Sequence, residues 1–139
     1  MGALALLRGA FVPTAARAQG NSLPAGTLHS FSIGGVKFHT YVSPAQAVNV
    51  TSHIVEFDDQ ILLVDATMLP PTAKAVSEII ASLGKPVGMA VLSHEHPDHW
   101  GGASAMDGVT FSTLPGVRDG MRAEATGGDW PEPTNVLNG

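Results

Sequence analysis

Apolar and polar residues alternate along the first half of the chain in a pattern that predicts two β-hairpins. The first hairpin runs from about residue 28 to residue 42 around the two-residue turn Gly34-Gly35. In that register Phe31 opposes Phe38 on an apolar face. The second hairpin runs from about residue 50 to residue 64 and turns at Asp58-Asp59. We therefore expect this half of the chain to form antiparallel sheet.

The pattern then changes to that of a βαβ unit. Ile61–Asp65 and Val87–Leu92 are short apolar runs, as in buried parallel strands. Between them, apolar residues recur at spacings of four and three, which indicates an amphipathic helix. Pro70 suits the first turn of that helix and Gly84 suits the position after its end. The apolar stripe consists of Leu69, Ala73, Val76, Ile80 and Leu83.

The last third of the chain continues this alternation of strand and helix. We expect a short helix after Gly102, a strand at about residues 109–112 and a helix at about residues 117–125. The composition of residues 127–133 predicts a loop. The order of elements indicates an α/β fold, with hairpins followed by a βαβ unit.

Composition adds limits on partners. The chain has 139 residues, and only 14% of them are charged, against about 25% in average domains. A low content of charged residues is expected if one face of the sheet is covered by another part of a larger domain. The alternative is that the chain forms a small closed domain by itself. Seven Lys and Arg against 12 Asp and Glu give a net charge of −5, which disfavours nucleic acid as a partner.

The first 20 residues differ from the rest and resemble an export leader. They contain no acidic residue and close with Ala16-Arg17-Ala18, which fits an A-x-A cleavage site. We expect a periplasmic or secreted protein that starts near Gln19, which mass spectrometry of the mature protein would test. The alternative is an uncleaved leader on a cytoplasmic protein. No apolar stretch nears the roughly 20 residues that span a bilayer. We expect residues 21–139 to form the domain that follows this leader.

A cluster of metal-binding residue types follows the strand Val87–Leu92. Residues 93–102 read Ser-His-Glu-His-Pro-Asp-His-Trp-Gly-Gly. His94 and His96 can share one ion, because residues two apart point the same way in extended backbone. Asp98 and His99, after the bend at Pro97, can face a second ion. Imidazole and carboxylate suit zinc and its first-row neighbours. The alternative is a His-rich surface loop without metal.

The position of this loop favours a functional site. It follows the carboxyl end of a strand, where open α/β sheets place their ligands. Asp65 ends the neighbouring strand at the same edge, where it can accept a hydrogen bond from a metal-binding imidazole or a backbone N–H. The alternative for Asp65 is a helix N-cap or a turn. We expect His29, His39 and His53 to be structural or exposed, although His53 lies where it could approach the site.

The hairpin ending in Leu-Leu-Val-Asp, the helix, the next strand and the His-x-His-x-Asp-His loop together resemble the metallo-β-lactamase superfamily, over about residues 28–126. The resemblance implies an αββα sandwich of which this chain is the amino-terminal half. It also implies His94 and His96 on a first metal ion, and Asp98 and His99 on a second. The expected cofactor is a pair of zinc ions, with iron or manganese as alternatives. Ala66-Thr67 departs from the family, where many members have a small residue followed by glycine.

The resemblance implies a metal-dependent hydrolase in which activated hydroxide attacks a carbonyl or ester-type bond of a small molecule. Asp98 would orient that hydroxide or take its proton. The family's second half supplies further ligands, but no histidine follows His99. We therefore expect a truncated or partial chain of poor activity, whose exposed half-sheet favours self-association. The alternatives are a non-catalytic metal-binding or interaction fragment and an iron-dependent oxidoreductase of the same superfamily.

Overall fold

The computed structural model describes residues 23–125 and 135–137. In this part of the chain the main elements are β1 Thr27–Ile33, β2 Val36–Val42, β3 Thr51–Glu56, β4 Ile61–Val64, α1 Pro70–Leu83, β5 Val87–Val91, α2 Pro97–Trp100, β6 Phe111–Thr113, α3 Pro115–Glu124 and β7 Asn135–Val136. The strands form one sheet in chain order. Neighbours run antiparallel from β1 to β4 and parallel from β4 to β7, which confirms the α/β class. The predicted leader and the loop at residues 127–133 lie outside the described residues.

Both predicted hairpins are confirmed. Gly34 and Gly35 have φ angles of 56° and 86°, which a two-residue turn requires and which glycine adopts readily. Phe31 pairs with Phe38 as expected, and their rings stack with centroids 5.0 Å apart. This turn chemistry fixes the register of the first hairpin.

The predicted amphipathic helix is confirmed as α1. Pro70 is its first residue, and Gly84 ends it with a φ of 68°. Its buried residues, which include Val76, belong to one hydrophobic core with Ile54 of β3 and Leu63 of β4. The helix therefore covers one face of the sheet.

Several predicted boundaries need correction. The strand expected at residues 109–112 is observed as β6, Phe111–Thr113. The helix expected at residues 117–125 is α3, which begins earlier because Pro115 is suited to the first helical position. The helix expected after Gly102 is only a 3-10 turn, Ala103–Ala105.

The apolar run of β5 predicted a strand buried on both faces, but only one face is buried. Met89 is 50% exposed, whereas the adjacent Ala90 is 1% exposed. Met89 belongs to an apolar row that crosses five strands through directly paired residues. The row consists of Phe31, Phe38, Val55, Leu62 and Met89. We call it the open face; its end residue Phe31 is 54% exposed.

The other face carries a buried carboxylate near the amino-terminal end of β2. Glu56 Oε1 accepts hydrogen bonds from Lys85 Nζ at 2.7 Å and Lys37 Nζ at 3.1 Å. Glu56 Oε2 lies 3.1 Å from His39 Nε2. These contacts, with that of Lys85 the largest, lower the Glu56 pKa from 4.5 to about 2. His39 therefore has a structural role, as the sequence predicted.

The lowered pKa predicts how stability changes with pH. Since the folded-state pKa is depressed, ionised Glu56 stabilises the fold above its unfolded value of 4.5, and this contribution is lost as pH falls toward 2. Glu56→Gln should therefore lower the melting temperature at about pH 7, and the gap from the parent should shrink on acidification. Circular dichroism melts would measure it, with exposed Glu78→Gln as control. A gap that stays constant with pH would contradict this role.

No helix in the described part of the chain has the length and apolar character needed to cross a membrane.

Candidate metal centre

The His-rich loop and Asp65 meet at the carboxyl edge of the sheet. The parallel pairing of Val64 with Val91 brings the ends of β4 and β5 together. Backbone hydrogen bonds then hold the loop. Ala66 N–H donates to His99 O at 2.7 Å, and Gly102 N–H donates to Thr67 O at 3.0 Å. The loop is thus tied at two points to the segment that follows β4.

Asp65 is 4% exposed and accepts three hydrogen bonds from the loop. Its Oδ1 accepts the backbone N–H of Ser93 at 2.8 Å. Its Oδ2 accepts the Ser93 hydroxyl at 2.7 Å and lies 2.8 Å from His99 Nδ1. The alternative that Asp65 is a helix N-cap is wrong, because Leu69 holds that position in α1 without a side-chain cap.

The four residues predicted as metal ligands converge in the loop. Potential ligand atoms of His94, His96 and Asp98 lie within 4.8 Å of one another, and so do those of Asp65, His94 and His99. His99 Nε2 lies 3.3 Å from Asp98 Oδ2. The structure therefore groups Asp98 with both the first histidine pair and His99, rather than with His99 alone.

Local sequence explains this convergence. His96 keeps extended backbone, with φ −71° and ψ 137°, and Pro97 then begins the single turn of α2. That turn carries Asp98 and His99 back toward His94, whose ring centroid lies 3.8 Å from that of His99. Four residues are too few to show helical periodicity, so the sequence predicted a bend at Pro97 but not that the bend is helical.

The two glycines after the loop allow close backbone packing. A Cβ atom on Gly102 would lie 2.6 Å from Ala66 O and 2.7 Å from Ala73 Cβ. A Cβ atom on Gly101 would lie 2.5 Å from Met68 O. Such approaches are too short for any larger residue. The Gly-Gly pair therefore lets the loop pack closely against the segment that leads into α1.

The Ala66-Thr67 departure from the family pattern has a local consequence. Thr67 has a φ of 62°, a left-handed conformation that favours glycine and strains a β-branched residue. Its side chain is fully buried, and its Oγ1 lies 2.7 Å from Thr72 Oγ1. Thr67 thus adopts a left-handed conformation and makes a buried hydrogen bond with Thr72.

One further side chain contacts the loop, and His53 lies on the sheet instead. Trp100 is 7% exposed and donates from Nε1 to Glu95 O at 2.7 Å, so it is a core residue that braces the loop. His53 lies between Thr40 and Thr51, 3.0 Å and 3.3 Å from their hydroxyls, and belongs to neither ligand group.

Sequence reasoning missed the part played by Ser93. Its hydroxyl contacts Asp65 and also lies 3.0 Å from His94 Nδ1. The sequence signal for this role was the position of a hydroxyl residue directly before the first histidine, His94.

The donor set fits a metal cation. His99 Nδ1 must donate to the Asp65 carboxylate, which only accepts, so a neutral His99 leaves Nε2 as a lone-pair nitrogen. That lone pair then lies 3.3 Å from a carboxylate oxygen of Asp98. Two acceptors at this distance repel each other unless a cation or a proton lies near both. Imidazole nitrogen and carboxylate oxygen are ligands that zinc prefers.

Comparison with known proteins gives a consistent result. Residues 45–136 match the family model of the metallo-beta-lactamase superfamily. The metallo-β-lactamase FIM-1 from Pseudomonas aeruginosa, in its mono-zinc form, aligns with 83% of this chain at 22% identity and a TM-score of 0.63. A metallo-β-lactamase from Hirschia baltica aligns with 80% at 25% identity and a TM-score of 0.57. One from Pontibacter korlensis aligns with 81% at 26% identity and a TM-score of 0.58. The alignments span 51%, 52% and 54% of those proteins, about half their length.

Proposed function

Because the chain belongs to the metallo-β-lactamase superfamily, we propose that it carries part of the active site of a zinc-dependent hydrolase. The observation that supports this most is the meeting of His94, His96 and Asp98 ligand atoms within 4.8 Å, beside a fourth candidate ligand, His99. Catalytic zinc usually has three protein ligands and an open position. In the complete domain we expect two zinc ions, with iron or manganese as alternatives.

Each residue of the centre has a role in this proposal. His94 and His96 would hold a first ion, and Asp98 and His99 would hold a second. Bound zinc would supply Lewis acidity, which lowers the pKa of its bound water to about 7 and polarises a carbonyl group. Asp98, whose side chain is 39% exposed, orients the attacking water or takes its proton. Asp65 orients the ring of His99 and anchors the loop.

We propose a small-molecule substrate with a carbonyl or ester-type bond. The net charge of −5 disfavours nucleic acid. The chain spans about half the length of the structures it matches. Its two candidate ligand groups share His94, so they cannot give two ions three separate ligands each. Turnover by this chain alone should therefore be far below the roughly 1–1000 per second of ordinary enzymes.

Zinc-dependent hydrolysis by the purified chain tests the proposal. Ester, thioester, lactone and β-lactam substrates should be hydrolysed slowly with zinc and not after chelation. Asp98→Asn should lower that rate about 100-fold. The exposed acid Asp107 provides a matched control, Asp107→Asn, which should change nothing.

Other outcomes of this assay favour the alternatives. Tight zinc binding without zinc-dependent turnover would favour a non-catalytic metal-binding fragment. Selective retention of iron with oxygen consumption would favour an iron-dependent oxidoreductase of the same superfamily.

The open face gives a prediction about self-association. Isolated proteins rarely expose a wide apolar patch, and Phe31 and Met89 at its two ends are about half exposed. We propose that the rest of the domain covers this face in a full-length protein and that a second copy covers it in this chain alone. Sedimentation at about 100 μM should show dimers or larger species. Met89→Lys should shift them toward monomer, whereas Leu114→Lys, at an equally exposed position, should not. A monomeric parent chain would contradict the prediction.

A further inference from the structure

Ser93 lies between the buried carboxylate of Asp65 and the ring of His94. Its hydroxyl oxygen is 2.7 Å from Asp65 Oδ2 and 3.0 Å from His94 Nδ1. Its backbone N–H donates separately to Asp65 Oδ1 at 2.8 Å. The backbone N–H of residue 93 can hold the loop on Asp65 with any side chain at that position. A substitution that removes only the hydroxyl therefore tests the contact with His94 separately.

The number of protons fixes the direction of these hydrogen bonds. An ionised carboxylate can only accept, and a hydroxyl has a single proton to donate. Ser93 therefore donates to Asp65, and its oxygen can then only accept a hydrogen bond from His94 Nδ1–H. His99 Nδ1 donates to the same Asp65 oxygen at 2.8 Å.

We propose that Ser93 is a positioning residue that extends the orienting effect of Asp65 to His94. One buried carboxylate then fixes the tautomer of two imidazoles, directly for His99 and through a hydroxyl for His94. In both rings the proton stays on Nδ1, and Nε2 keeps its lone pair. A neutral imidazole binds a metal through its lone-pair nitrogen, so both rings are preset to present Nε2.

The consequence for metal binding rests on the proposed function, whereas the tautomer itself does not. Metal-binding histidines are commonly fixed by a hydrogen bond from the other ring nitrogen, and losing that partner usually weakens metal binding 10- to 100-fold. Ser93 is exposed, so removing its hydroxyl leaves no hole in the core.

Nitrogen NMR of the metal-free 139-residue chain at about pH 8.5 tests the tautomer, because it shows which ring nitrogen of each histidine carries the proton. His94 should carry its proton on Nδ1 in the parent chain and in Ser93→Thr, which keeps the hydroxyl. Ser93→Ala should move the His94 proton toward Nε2 and leave His99 unchanged. Ser82→Ala, which removes an exposed hydroxyl bonded to Ile79 O on α1, is the control and should change neither ring.

Zinc titration of the same four proteins supplies the second measurement. Ser93→Ala should bind zinc about 10-fold more weakly, and Ser93→Thr should stay within about twofold of the parent. A His94 tautomer that does not respond to Ser93→Ala would overturn the inference, even if zinc binds normally and the proposed function stands. The expected tautomer change in a chain that binds no zinc would support the inference and count against the proposed function.

Discussion

Replacing Asp65 with alanine is expected to weaken zinc binding by about 100-fold and to destabilise the metal-free chain by about 2–3 kcal/mol. The substitution removes the acceptor of three hydrogen bonds, two from Ser93 and one from His99. It also places alanine at a φ of 65°, which aspartate and asparagine tolerate better. Without Asp65, both the ring of His99 and the backbone of the loop lose their anchor.

Two variants separate these effects. Asp65→Asn keeps the side-chain volume and the φ preference, and its carbonyl oxygen can still accept from Ser93 N–H, so it should be destabilised less than Asp65→Ala. Asp58→Ala removes an exposed acid in the second hairpin turn and serves as control. Urea unfolding gives the stability, and zinc titration gives the affinity. Parental values of both in Asp65→Ala would show that the carboxylate does not organise the centre.

Replacing His96 with alanine should weaken binding of the first zinc ion by about 100-fold while leaving the metal-free chain as stable as its parent. His96 supplies one of three converging ligand atoms. It is exposed, so its loss costs little packing. A 100-fold loss of affinity corresponds to about 2.7 kcal/mol of zinc-dependent stabilisation.

His53→Ala is the matched control for this prediction. His53 is also an exposed histidine, but its ring lies between two threonine hydroxyls on the sheet, away from the ligand groups. Elemental analysis and melting with and without zinc should separate the two variants. If His96→Ala and His53→Ala bind the same amount of zinc, His96 is not a specific ligand.

Much of the fold could be predicted because local signals agreed with one another. In α1 the apolar stripe, Pro70 and Gly84 all indicated the same helix, and the observed helix ends where Gly84 turns left-handed. The first hairpin was fixed in register by its two-glycine turn. These features depend on residues close in sequence, so they need no knowledge of tertiary packing.

Features that depend on tertiary packing were predicted less well. The run Val87–Leu92 predicted a strand buried on both faces, but Met89 is 50% exposed because burial depends on what covers the face. The metal-ligand residues were visible as a cluster, but the shared position of Asp98 depends on the turn of α2. The link from Asp65 through Ser93 to His94 depends on how β4 and β5 align, which sequence spacing does not give.

X-ray absorption at the zinc edge, on the zinc-loaded chain, tests the central claim that this loop is a metal centre. We predict stoichiometric zinc with imidazole nitrogen scattering at about 2.0–2.1 Å, which is the usual zinc–histidine distance. That imidazole signal should fall in His96→Ala and persist in His53→Ala. Zinc that binds only substoichiometrically, or with oxygen ligands and no imidazole signal, would contradict the claim.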